Sequence, residues 1–204
     1  EAKLFVNDYD ILTGNRLDAY VAHIRALLAM GVPLAGIGVQ GHLHGDTFDA
    51  EALRHALDTL AQFNLPIRIT EFNFPGQRSK FHLDPKLKIT PEEEEAKARA
   101  IVDYYRICFA HPAVQGILMW GFWEGANWIP ASSLYHRDWT PTPAGVAYRD
   151  LIFKEWWTHW TGKADANGRC EIPAFYGTHR VTVGNRVATV QLKKADGTAT
   201  VKLR

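Results

Sequence analysis

The chain is poor in several things, and each scarcity removes a class of function. It has two cysteines, Cys108 and Cys170, far apart in sequence. They make no CxxC and no metal-ligand spacing, so they read as two buried or free thiols rather than a redox pair or a zinc site. No metal ligand set and no cofactor are expected. Charge of one sign is also lacking: the formal net charge is +1. A near-neutral chain carries no electrostatic footprint for nucleic acid or a membrane surface, and neither partner is expected. No apolar run reaches the roughly 18 residues of a membrane-spanning helix. There is no signal-peptide pattern. The chain opens directly into Lys3-Leu4-Phe5-Val6, as a segment cut from a longer protein would. No P-loop and no Ser-His-Asp order is found. Gly36-Ile37-Gly38 lies within a strand and lacks a third glycine, which leaves the nucleotide-binding reading weak.

What is present is an ordinary globular composition. The 204 residues are 47% hydrophobic, enough for one domain, or one domain with a small appendage. Seven Trp, seven Tyr and ten Phe are present, and several fall in loops rather than periodic segments. An aromatic ring with a polar edge suits the apolar C–H face and hydroxyl rim of a sugar. Core packing accounts for most of them.

Along the chain, strands and helices alternate. Lys3–Val6 reads as a strand. Leu17, Tyr20, Val21, Ile24, Leu27 and Leu28 make one apolar stripe, predicting a helix from about Arg16 to Met30, with Asn15 as N-cap and Gly31 as stop. Gly36–Gln40 is a second strand, followed by a loop with His42 and His44. Asp49 caps a second helix. Ile67–Thr70 is a third strand, ending at Glu71. Phe72–Ile89 reads as a long irregular loop. Thr90-Pro91-Glu92-Glu93 is a helix start, with acids against the positive end of the dipole. The acidic run Glu92–Glu95 therefore needs no metal to explain it. Val114–Trp120 is a fourth strand, Gly121–Thr140 an aromatic loop, and Pro143 begins a last helix ending near Trp157.

Four strand–helix repeats argue for a parallel sheet in an α/β fold. In each repeat the unusual polar and aromatic residues follow the strand, where a (β/α)8 barrel carries its site. A doubly wound sheet would place a site there too. After Trp160 the pattern changes to turn signals between Arg180–Val183, Val187–Leu192 and Thr198–Leu203. The expected division is a barrel segment at 1–160 and a small β-sandwich-like module at 161–204.

Glu71 is the conspicuous residue. A carboxylate at the end of an apolar strand costs several kcal/mol to bury unless paired, so it either faces solvent or has a job. Several motifs around it resemble glycoside hydrolase family 10, the endo-β-1,4-xylanase family. Ala2–Tyr9 looks like that family's fifth barrel strand with its Asn-Asp-Tyr loop. Gly36–Leu43 looks like the sixth, with Gln-x-His. Ile69-Thr70-Glu71-Phe72 looks like the seventh, and Met119–Trp128 like the eighth with its two tryptophans. Leu134–Asp138, with Pro141 and Pro143, looks like the closing segment. The resemblance covers about residues 1–155.

The resemblance implies a TIM-type barrel of which only strands five to eight are here. It implies Glu71 as nucleophile, with His42 hydrogen-bonded to it. It implies Asn7, Tyr9 and Gln40 at the sugar, and Trp120 and Trp128 as walls of the subsites. His44, Trp123 and Glu124 are cleft candidates. As plain structure, His42 would be a satisfied histidine and the tryptophans core aromatics. Two departures stand out. The family commonly has Glu-x-Asp at the nucleophile, and here the third residue is Asn73, which changes the charge state expected of His42. The family's acid/base is the Glu of an Asn-Glu pair on the fourth strand, and no Asn-Glu dipeptide occurs in this chain.

The expectation is a retaining endo-glycanase acting on xylan or a related plant polysaccharide, incomplete in this chain. A carbohydrate-binding or structural half-barrel without turnover is the alternative. The expected partners are a poly- or oligosaccharide, and either an upstream half-barrel chain or a second copy to close the barrel. Secretion or a periplasmic location is expected from the resemblance alone.

Overall fold

The computed structural model describes residues 2–13 and 15–202. Among these, the elements run β1 (Leu4–Asp8), α1 (Leu17–Ala29), β2 (Leu34–Val39), β3 (His42–His44), α2 (Ala50–Ala61), β4 (Ile67–Gln77), α3 (Lys80–Leu83), α4 (Pro91–Ala110), β5 (Val114–Met119), α5 (Pro143–Asp150), β6 (Gly177–Val183) and β7 (Arg186–Leu192). The chain divides into two compact units, 1–148 and 149–204. The division falls within α5, just before a π-helical turn at Leu151–Glu155 interrupts its ladder, rather than after residue 160.

In the first unit β1 pairs with β2, β2 with β4, and β4 with β5, all parallel. This is the parallel α/β sheet expected from alternating elements. Ile37, Val39, Ile67 and Ile69 are fully buried, as are Leu53, Leu57 and Leu60 of α2 and Ile101 and Tyr104 of α4. Phe72 stacks on Tyr104 with ring centroids 4.1 Å apart. Strand side chains alternate in direction, so Arg68 and Thr70 turn to the opposite face from Ile67 and Ile69. That second face is open: Arg68 is exposed, its guanidinium 4.8 Å from the Phe5 ring centroid. Leu4 on β1 and Leu118 on β5 are 49% and 54% exposed.

Helix ends follow their local chemistry, with one exception. Asp49 accepts hydrogen bonds from the N–H groups of Glu51 and Ala52 at the start of α2. Thr90 and Glu93 form a reciprocal capping box at the start of α4. At α1 the capping position is Arg16, without a side-chain cap, and not Asn15. Asn15 instead directs its amide toward Thr13 and His44. Gly31, with φ +78°, ends the helix region as expected.

The region 72–89 is the main correction. It is not one irregular loop, because β4 continues to Gln77 and α3 follows. The reason is a partner that sequence pattern does not reveal. After β2 ends, the chain turns at Gly41 (φ +81°) and resumes as β3, which pairs His42 with Asn73 and His44 with Gln77. A Cβ at Gly41 would lie 2.4 Å from Ile69 Cγ2, so glycine suits both the turn and the space.

The second unit contains one antiparallel hairpin, β6–β7, closed by Gly184-Asn185 with Gly184 at φ +56°. Among the described residues it is two strands and not a sandwich. No strand forms over residues 198–202, and Leu203 lies outside the described residues.

Candidate active site

Register builds the site. The pairing of β2 with β4 ends at Val39↔Ile69, and the Glu71 N–H then donates to the Gln40 carbonyl at 2.6 Å. Two residues on, β3 pairs His42 with Asn73. Residues 71 and 73 lie on the same face of β4 by strand alternation, and His42 on the adjacent strand stands between them. Its Nε2 is 3.3 Å from Glu71 Oε2 and its Nδ1 is 2.7 Å from Asn73 Oδ1. The side chain of His42 is 5% exposed and that of Glu71 21%. Asn73 is fully buried, and its Nδ2 has no hydrogen-bond partner.

The two tryptophans stand beside this group. The Trp128 ring lies 5.3 Å from the His42 ring, and Trp120 meets it edge-on at 6.4 Å. Both keep exposed surface, 49% for Trp120 and 39% for Trp128. Trp128 is braced on another side by His82, at 5.3 Å and near-perpendicular. Its neighbour Asn127 is buried and donates to Ser132 Oγ and Ser133 Oγ. The same loop is held from below by Lys97. This ammonium is 2% exposed and donates to Glu94 Oε1 and to the carbonyls of Ala131 and Ser133, at 2.9 to 3.0 Å. Burial pulls the Lys97 pKa below the ordinary lysine value, and the Glu94 carboxylate opposes that pull.

The remaining residues singled out from sequence divide into two groups. Near the strand ends, Asn7 Oδ1 accepts from Thr70 Oγ1 at 3.1 Å. Gln40 joins β2 to the Glu71 backbone. Tyr9 is 45% exposed, with the Arg16 guanidinium 4.4 Å above its ring. His44, Trp123 and Glu124 find partners elsewhere. His44 Nε2 pairs closely with Asp10, whose other oxygen is 3.8 Å from Arg78 Nη2. Trp123 donates from Nε1 to the Arg137 carbonyl and stacks on Trp139 at 5.3 Å and 11°. Glu124 Oε2 is 3.2 Å from His136 Nδ1.

Sequence reading missed Asp10, His82, Asn127 and Lys97. The Lys97 pair had a signal: Glu94 and Lys97 stand at i,i+3 on one helix. His82 had none, because its helix, α3, lay inside a presumed loop.

Fold and site together define a parallel β/α sheet carrying a carboxylate–imidazole pair at the strand ends, with two tryptophan rings beside the imidazole. The chain belongs to glycosyl hydrolase family 10, whose profile matches residues 1–151. Anti-sigma-I factor RsgI6 of Acetivibrio thermocellus is 37% identical over 203 residues, covering 97% of this chain and 24% of that protein. Endo-1,4-beta-xylanase 1 of Arabidopsis thaliana is 32% identical, covering 89% of this chain and 18% of the enzyme. Among solved structures, xylanase 10B of Thermotoga petrophila in complex with xylobiose matches with a TM-score of 0.62 and 28% identity, over 76% of this chain and 47% of that one. The chain thus spans about half of the solved xylanase, and a quarter or less of these two longer relatives.

Proposed function

We propose that residues 1–151 form the nucleophile-bearing half of a retaining endo-β-1,4-xylanase barrel, strands five to eight of eight. The observation that carries this is the Glu71–His42–Asn73 group, with the Trp120 and Trp128 rings beside His42. In a retaining glycosidase one carboxylate attacks the anomeric carbon and forms a covalent glycosyl-enzyme, which water then hydrolyses. Glu71 takes that role. His42 orients it, Trp120 and Trp128 offer ring faces to xylose units, and Asn7, Tyr9 and Gln40 stand at the hydroxyls. The acid/base carboxyl, required about 5–5.5 Å from the nucleophile, comes from strands outside this chain.

Two features support a half-barrel. β1 and β5 each have one unpaired edge among the described residues, and the face bearing Arg68 and Leu118 is open. Parallel sheets are normally covered on both faces. Either a separate upstream half or a second copy would cover it.

The test is reducing-sugar release from xylan. The chain alone is expected to be inactive, and the chain combined with an upstream family 10 half active. Glu71→Gln in the combined protein should lower kcat by on the order of 10³-fold or more. Retained activity in Glu71→Gln would remove the assignment.

A second reading, saccharide recognition without turnover, is favoured by one observation: a relative 37% identical over 97% of this chain is named an anti-sigma factor. Calorimetric titration with xylo-oligosaccharides separates the two. Binding by a completed protein that releases no sugar supports recognition alone.

A further inference from the structure

The hydrogen-bond count around His42 does not close with Asn73 as an acceptor. Glu71, as a carboxylate, only accepts, so a bond across the 3.3 Å to His42 Nε2 requires the proton on Nε2. If Asn73 Oδ1 faces Nδ1, that nitrogen must carry a proton too, and His42 is an imidazolium. This arrangement leaves the two N–H donors of Asn73 Nδ2 buried without a partner. It also places a cation in a side chain only 5% exposed. Buried orphan N–H groups are rarer than under-satisfied carbonyl oxygens.

A half-turn of the Asn73 amide about Cβ–Cγ resolves this. Nδ2 then donates to a bare Nδ1, the single imidazole proton sits on Nε2, and it donates to Glu71. The orphan becomes one carbonyl oxygen. We propose that Asn73 is a positioning residue that donates to His42 Nδ1 and so holds a neutral Nε2–H tautomer against the anionic Glu71. An aspartate at this position could not do so while ionised, because it only accepts and would require an imidazolium. Asn73 thus gives Glu71 a hydrogen-bond donor without placing a cation beside it. The consequence for catalysis rests on Glu71 being the nucleophile; the tautomer does not.

The tautomer is read directly by ¹⁵N NMR of the full chain at pH 7, with His42 assigned through bonds to its backbone. The expected pattern is one protonated nitrogen, Nε2, and one bare nitrogen, Nδ1. Asn73→Asp is expected to show both nitrogens protonated. A wild-type ring protonated on both nitrogens, or on Nδ1 alone, overturns the proposal, and that measurement stands whether or not the variant folds. Because it requires no turnover, its outcome is independent of the xylan assay.

Discussion

Cys108 and Cys170 sit in opposite environments. Cys108 is buried on α4 and Cys170 exposed. Burial disfavours the thiolate and pushes the Cys108 thiol up to about 12. The thiolate is the reactive form, so Cys108 should stay inert in any buffer well below that value. A thiol reagent at pH 8 should label one cysteine per native chain, at Cys170, and two after unfolding; two fast equivalents in the native protein would contradict the buried placement. Gly76 is a second residue-scale case. A Cβ there would lie 1.5 Å from the Leu43 carbonyl oxygen, a backbone atom of β3 that cannot move without breaking its pairing with β4. Gly76→Ala should cost about 1–3 kcal/mol or more by overpacking, measured by urea denaturation. Since β3 carries His42, the same change should also disturb the His42 ring signals.

At the scale of elements, α4 supports the loop that carries Trp128. Its cap is local: Thr90→Ala removes one half of the capping box and should cost about 1 kcal/mol, seen as a lower midpoint in denaturant. Lys97 acts across elements. Replacing it by Met leaves the Glu94 carboxylate and two carbonyls buried without their donor, a loss of about 3–5 kcal/mol. The linked readout is the tryptophan environment, since Ala131 and Ser133 belong to the turn against which Asn127 is bonded. A Lys97→Met protein as stable as the parent would show the ammonium to be a passenger. The hairpin β6–β7 stands in contrast. Its side chains are largely exposed, and a two-stranded ribbon is marginal by itself.

For the whole molecule, the open face and the two free edges of the sheet set the expectation. Exposed parallel edges and apolar side chains such as Leu4 and Leu118 are association sites. Size-exclusion chromatography with light scattering should find the isolated chain as a dimer or larger, converting to a defined complex when an upstream half-barrel is added. A thermally stable, well-behaved monomer would contradict the half-barrel reading.

Much of the candidate site was readable from sequence. Strand–helix alternation brings the strand ends of a parallel sheet to one side, and Glu71, His42 and the two tryptophans each come after an apolar run in the sequence, although the structure carries β4 through Glu71 and starts β3 at His42. The caps at Asp49 and Thr90 and the stop at Gly31 were also readable, because those interactions reach only a few residues along the chain. The tertiary structure decided the rest, because it depended on pairing between distant segments. β4 runs on to Gln77 only because β3 lies beside it. His44 turns to Asp10, and Lys97 reaches Ala131 and Ser133, only once the sheet brings them together. Asn73 appeared in the sequence as a missing charge; burial and register make it the partner of His42 with an amide that must find an acceptor.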